Sequence, residues 1–268
     1  VIGAANTQDG AQATIASAYE RDGFVVLRGV FDPAECRAIS RECWRLLSLP
    51  LVEPDNHRTP FRKGAPASLG VPERFDPVLD VSPMLRDLAA DRRIMEPLRA
   101  IYGVGREGPA AFPFKDKIIF KAPGVEGYVL HQDASWWQGM GIPTERFLSV
   151  SISIDAATAE NGCLQVIPGV HDRLVSTPGE IRNLTPDEAE AAGWPEPQLV
   201  QTEPGDVVMF HGLTPHCSGT NTTSLFRRSF YLTYNHPAEG DRRDAFYEKD
   251  IAMKTQRAKL DQPGIYFE

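Results

Sequence analysis

His131 and Asp133, in His131-Gln132-Asp133, and His216, eighty-five residues further on, are the side chains whose types and spacing could do chemistry. In an extended segment alternate side chains share a face, so His131 and Asp133 are expected to project together and take two positions on one ion. An imidazole from a later strand, His216 in Thr214-Pro215-His216-Cys217-Ser218, would complete a 2-His-1-carboxylate facial triad, the arrangement that leaves positions open on non-haem Fe(II). Eleven residues after His216 stands Arg227, whose planar guanidinium suits a carboxylate held by two hydrogen bonds. Strand alternation turns only one of Arg227 and Arg228 inward, and Arg227 is expected to be that one. A metal triad with an anion anchor points to an oxygenase fed by a 2-oxo acid.

The same ligands suit other chemistries when read alone. Histidine and aspartate also bind Zn²⁺, which would make the chain a hydrolase working through a metal-activated water. A catalytically silent binding module is the other alternative. The hydrolase leaves Arg227 and Ser218 without a role, and a binding module has no need of the triad. His57 reads as a surface residue, and His171, His211 and His236 as structural ones. Cys36, Cys43, Cys163 and Cys217 form no Cys-x-x-Cys pair and are expected to be reduced thiols.

The elements that must position these residues follow from composition and period. The chain has 268 residues, 42% hydrophobic and 24% charged, enough for a substantial core in one domain. A formal charge of −8 argues against non-specific nucleic-acid binding. No apolar run approaches the ~20 residues of a membrane span, and the opening residues carry no signal pattern, so a cytoplasmic location is expected. Residues 11–107 read as a helical prelude with an irregular excursion over 50–82. A helix over 12–21 and a strand over 24–27 lead to an Asp32-Pro33-Ala34-Glu35 capping box. The helix it starts spaces Cys36, Ile39, Cys43 and Leu46 for one buried face. Another helical region runs from Ser82-Pro83 to Gly103.

After Gly108 short β-rich runs replace helical periods: 115–121, 127–132, 146–155, 162–167, 198–203, 206–211 and 226–235. Strands in this number without intervening helices favour an antiparallel jelly roll, a double-stranded β-helix of cupin-like type, over 108–236 with the earlier helices on one outer face. The interruption at 173–197 is read as a partial lid, and 237–268 as a tail forming a solvated helix.

The wider text carries a family resemblance. Lys121-Ala-Pro-Gly124, His131-Gln-Asp133, Asn161-Gly-Cys-Leu-Gln-Val-Ile-Pro-Gly-Val-His171, Pro204-Gly-Asp-Val-Val-Met-Phe-His211, the segment from His216 to Asn221, and Arg227 follow one another in one order. That order resembles the phytanoyl-CoA dioxygenase family, and Arg146-Phe-Leu-Ser-Val-Ser-Ile152 is also similar to ectoine hydroxylase, a member of it. The resemblance implies Fe(II) on His131, Asp133 and His216, 2-oxoglutarate as co-substrate, and O2. It implies oxidative decarboxylation to succinate and CO2, coupled to hydroxylation or a related C–H oxidation of a small molecule, in secondary or osmolyte metabolism. Because Asp133 is a carboxylate, no halide position opens on the metal. The resemblance also places Arg227 and Ser218 at the distal carboxylate of 2-oxoglutarate. Lys117, Tyr128 and Ser151 fall beside the co-substrate, Ser151 where many relatives carry Trp. Trp136, Trp137 and Gln132 are the candidates on the substrate side.

Overall fold

A switch in hydrophobic period near Gly108 separates a helical first third from a β-rich remainder, and the computed structural model shows how the two halves fit. It describes residues 8–50, 58, 71–139, 146–175 and 183–259. The first part contains α1 (Gln8–Asp22), β1 (Phe24–Leu27), α2 (Pro33–Leu47), β2 (Arg74–Phe75), α3 (Pro83–Ala89) and α4 (Arg92–Tyr102). The second contains β3 (Phe112–Lys121), α5 (Asp133–Gly139), β4 (Phe147–Ser153), β5 (Leu164–Val166) and α6 (Pro186–Ala191). It continues through β6 (Gln198–Val200), β7 (Val207–His211), β8 (His216–Ser218), β9 (Arg227–Asn235) and α7 (Arg243–Lys259).

Local chemistry starts and stops the helices as expected. Asp32 accepts from Ala34 N and Glu35 N at 2.7 and 2.9 Å while the Glu35 carboxylate takes Asp32 N at 2.8 Å, a closed capping box on α2. The stripe that follows, Cys36, Ile39, Cys43 and Leu46, is buried. Gly103 closes α4 in the left-handed conformation, φ 62°, where a side chain would be strained.

The strands form two sheets. Six run in the order β1-β7-β4-β9-β3-β2, and three in the order β6-β5-β8, all paired antiparallel. Alternation divides the large sheet into two unlike faces. Ile118, Phe120, Leu148, Val150, Ile152, Phe230 and Leu232 join the helices in one apolar core. On the opposite face Val26, Val208 and Phe210 pack on Leu164, Val166 and Val200 of the small sheet. That is the expected jelly roll, with helices on one outer face.

Several local expectations need correction. Residues 122–130 form no strand, and His131 makes only a single bridge, to His216. At Gly127 a Cβ would lie 1.5 Å from the Ser218 carbonyl oxygen, so the chain there passes too close to β8 for any side chain. The short strand β8 and the short helix α5 were not expected. α7 is not a freely solvated helix: Phe246 is fully buried against Phe114, and Arg243 pairs with the buried Asp116. His57 and most of the 50–82 excursion lie outside the described residues, as do 176–182 of the segment read as a lid.

Candidate metal centre

His131 and His216 face each other across their bridge, ring centroids 4.1 Å apart. The Asp133 Oδ1 atom lies 3.8 Å from His131 Nε2 and 3.9 Å from His216 Nε2. All three ligand atoms fall within 4.8 Å of one another, and the two imidazoles are buried. The triad therefore converges, but not by strand parity. Asp133 is the first residue of α5, so a turn out of the bridge, not an extended segment, swings its carboxylate beside the imidazoles.

The surroundings fix these ligands. His131 Nδ1 lies 2.8 Å from the Val129 carbonyl and His216 Nδ1 3.0 Å from that of Thr214. Each ring thus donates Nδ1–H to backbone and presents the Nε2 lone pair to the shared point. Ser149 Oγ, on β4, donates to Asp133 Oδ2 at 2.9 Å and leaves Oδ1 on the imidazole side. Burial, reinforced by the charge of His216, drives His131 down to about 3, so this imidazole is neutral at physiological pH. Burial raises the Asp133 carboxyl, yet electrostatic attraction to the two imidazoles and Lys117, with the hydrogen bond from Ser149, outweighs it and holds the carboxylate below its ordinary range. Two imidazole nitrogens and one carboxylate oxygen on a preset face suit a divalent ion of intermediate softness.

A cavity of about 780 Å³ of non-atom space, its open mouth included, surrounds the triad. Arg227 lines it at 5% exposure, with one bond to Ser229 Oγ at 3.1 Å and a buried Nε that has no hydrogen-bond partner. Arg228 points away and pairs with Asp155 through two contacts of 2.7 and 2.8 Å. Ser218 also lines the cavity, its hydroxyl accepting from Tyr128 N at 3.0 Å and Lys121 Nζ at 3.2 Å. The ring of Tyr128 forms wall, while its hydroxyl donates to Glu73 at 2.7 Å. Lys117 lines the cavity between the rings of Tyr128 and Tyr231, at 5.9 and 5.7 Å. Burial, with the repulsion of Lys115, lowers it to about 8.

Other candidates sit differently from expectation. Ser151 shares the Ser149 face of β4 by alternation but is not among the lining residues. Gln132, 1% exposed, does not line the cavity either. Its amide donates to the carbonyls of Arg173 and Leu213 and accepts from Val175 N, fastening the start of the 173–197 segment. Trp136 and Trp137 both line the cavity and are buried, Trp137 packing on Phe114 and Phe147. None of the described residues of 173–197 lines this cavity. Several line a second one that shares Tyr128, Cys217 and Ser218 with it. Sequence reasoning missed Ser149, Lys115 and Thr233. Their alternation with buried neighbours on β3, β4 and β9 was the signal for them.

The model of the family described as phytanoyl-CoA dioxygenase matches residues 19–229. The chain belongs to this family. It is 35% identical over 176 residues to methylphosphonate hydroxylase of Gimesia maris, covering 66% of this chain and 63% of that protein. It is also 35% identical over 152 residues to 2-aminoethylphosphonate dioxygenase of an uncultured bacterium, 56% of each chain. The matched stretch thus spans about three fifths of the length of these relatives. Among solved structures, EctD from S. alaskensis, crystallised with 2-oxoglutarate and 5-hydroxyectoine, superposes with a TM-score of 0.69 at 24% identity. It covers 84% of this chain and 76% of that one, a likeness of fold. No helix of the described residues is long and apolar enough to cross a membrane.

Proposed function

We propose that the chain is an Fe(II)/2-oxoglutarate-dependent dioxygenase that hydroxylates a small molecule. The observation that carries this reading is the pairing of a preset His131–Asp133–His216 face with a buried, incompletely bonded Arg227 in one cavity. A buried guanidinium with a donor left unbonded costs free energy until an anion completes it, so Arg227 is a built donor for one end of a dicarboxylate. A hydrolase with Zn²⁺ on the same triad gives that cation nothing to hold.

The protein's residues divide the work. His131, Asp133 and His216 hold the ion, with their donor atoms fixed by Val129, Thr214 and Ser149. Arg227 binds the distal carboxylate of 2-oxoglutarate, and Ser218, oriented by Lys121 and Tyr128 N, stands beside it. The rings of Tyr128, Trp136 and Phe210 wall the cavity and exclude water from it. When bound, ferrous ion with 2-oxoglutarate and O2 supplies an oxidant able to functionalise an unactivated C–H bond. The names of the relatives support hydroxylation as the outcome and a small polar substrate. A cytoplasmic setting fits reduced Cys36, Cys43, Cys163 and Cys217.

The test is stoichiometric. Protein reconstituted with Fe(II) should convert 2-oxoglutarate to succinate in an O2-dependent reaction, and the His131→Ala variant should not. Succinate formation that persists without His131, or none under any condition, would overturn the proposal.

A further inference from the structure

The geometry points to a second anion site in the same cavity, on Lys115, Lys117 and Thr233, which takes a dianionic tetrahedral group of the substrate, a phosphonate or phosphate monoester. This inference rests on the reading of the site as an Fe(II)/2-oxoglutarate centre and names the class of molecule it acts on.

Register sets the two anion sites apart. Lys115 pairs with Thr233, and Thr233 with Ser149, so these three form one row across β3, β9 and β4. Ser149 is the residue bonded to Asp133, which places this row level with the metal ligands. Arg227 pairs with Lys121, six residues along β9 from Thr233. At about 3.3 Å per residue that is roughly 20 Å of strand. A five-carbon diacid, with bonds of about 1.5 Å, reaches roughly 5 Å between its end carbons. Arg227 and the triad line one cavity, so its long side chain and the diacid together cover that span from opposite ends; a co-substrate anchored there lies on the Arg227 side of the triad and leaves Lys115 and Thr233 to another molecule.

Charge agrees with position. Among the described residues that line the cavity, the cations are Lys115, Lys117 and Arg227, and the one carboxylate is Asp133. The surplus of two positive charges is kept when Fe(II) adds two and 2-oxoglutarate removes two. A dianion cancels it, and a monocarboxylate leaves one lysine uncompensated. The ammonium of Lys115 stands over the rings of Trp136 and Phe246 at 5.6 and 5.4 Å, and that of Lys117 over Tyr128 and Tyr231. Aromatic faces hold a cation in place without supplying an acceptor oxygen, and their low-dielectric walls strengthen its pull on an anion. Lys121, on the same face of β3, differs: its Nζ is bonded to the Gly162 and Gly219 carbonyls and to Ser218.

The experiment begins with the full-length protein, Fe(II) and 2-oxoglutarate without O2, followed by the visible charge-transfer absorption of a chelated 2-oxo acid. Failure of that band to form would count against the parent reading alone, because methylphosphonate is also titrated into metal-free protein, with the change in intrinsic tryptophan fluorescence that is lost in Trp136→Phe as readout. Methylphosphonate, ethyl phosphate and acetate are then compared as probes. Both tetrahedral dianions should perturb the band and bind more tightly than acetate, and their ratio tells phosphonate from phosphate ester. Lys115→Met should weaken methylphosphonate about 10- to 100-fold, Lys115→Arg should restore most of it, and neither should change the 2-oxoglutarate requirement. Acetate binding as tightly as methylphosphonate, unchanged methylphosphonate binding in Lys115→Met, or a loss of 2-oxoglutarate affinity in that variant instead would each overturn the inference.

Discussion

Replacing Arg227 by Met should weaken 2-oxoglutarate binding far more than it alters the fold. Arg227 is 5% exposed, and among the described residues its guanidinium bonds Ser229 Oγ alone, so its remaining donors are available to a carboxylate. Two charge-assisted bonds at about 1.5–3 kcal/mol each amount to roughly 3–6 kcal/mol, or about 10² to 10⁴ in affinity. Stability without ligand should stay within about 1 kcal/mol, because loss of the Ser229 bond is offset by removing a buried cation that is only partly satisfied. The adjacent residue gives the opposite pattern. Arg228→Met breaks two contacts to Asp155. Since the Asp155 side chain is 26% exposed, the cost should be about 2 kcal/mol of stability, below that of a fully buried pair. Co-substrate affinity should hardly change. Anaerobic titration with 2-oxoglutarate gives the first quantity and urea unfolding the second. If Arg228→Met loses affinity while Arg227→Met keeps it, the assignment of faces on β9 is wrong.

Three further outcomes follow from named contacts. Ser149→Ala removes the 2.9 Å bond to Asp133 Oδ2 and should weaken metal binding about tenfold in competition with a chelator; unchanged affinity would mean that Ser149 does not orient the ligand. Gln132→Leu leaves Val175 N and the Arg173 and Leu213 carbonyls without their bonds and should cost about 2–3 kcal/mol, with faster hydrogen exchange at Val175; unaltered protection there would contradict the anchoring role. Hydrogen bonds from Arg93 hold Glu35 and Asp91 below their ordinary pKa, so their contribution is present at neutral pH and lost as acid protonates them. Arg93→Ala should therefore flatten the acid limb of the stability curve between roughly pH 5 and 3, and an unchanged limb would show that this pair of contacts is not responsible for it.

The convergence of His131, Asp133 and His216 was legible in the sequence, but the backbone route that achieves it was not. His131 and Asp133 do converge with His216, but through a bridge followed by a helix start. Alternation carries no information once a segment leaves the sheet. The helix α5 escaped notice because its seven residues, Asp133–Gly139, are too short for a helical period to declare itself against two bulky indoles. β8 is three residues long and is held by partners distant in sequence, Val166, Gln165 and Leu164, which no local pattern names. Long elements with one buried face, such as α2 and β9, were read within a residue or two of their observed ends. Alternation and the position of Arg227 after His216 separated it from Arg228, and the structure agrees, with one in the cavity and the other on Asp155. On β3, Lys115 and Lys117 flank the buried Asp116, an alternation available in the sequence, yet Lys115 became meaningful only once Thr233 and Ser149 were seen in its row.

The most direct test of the metal centre is an anaerobic difference spectrum of the protein with Fe(II) and 2-oxoglutarate, recorded for the unaltered chain and for His216→Ala. The account predicts a visible charge-transfer band that saturates at one iron per chain and is abolished in the variant. A band of equal strength in His216→Ala, or its absence from the unaltered protein at saturating metal and co-substrate, would contradict it.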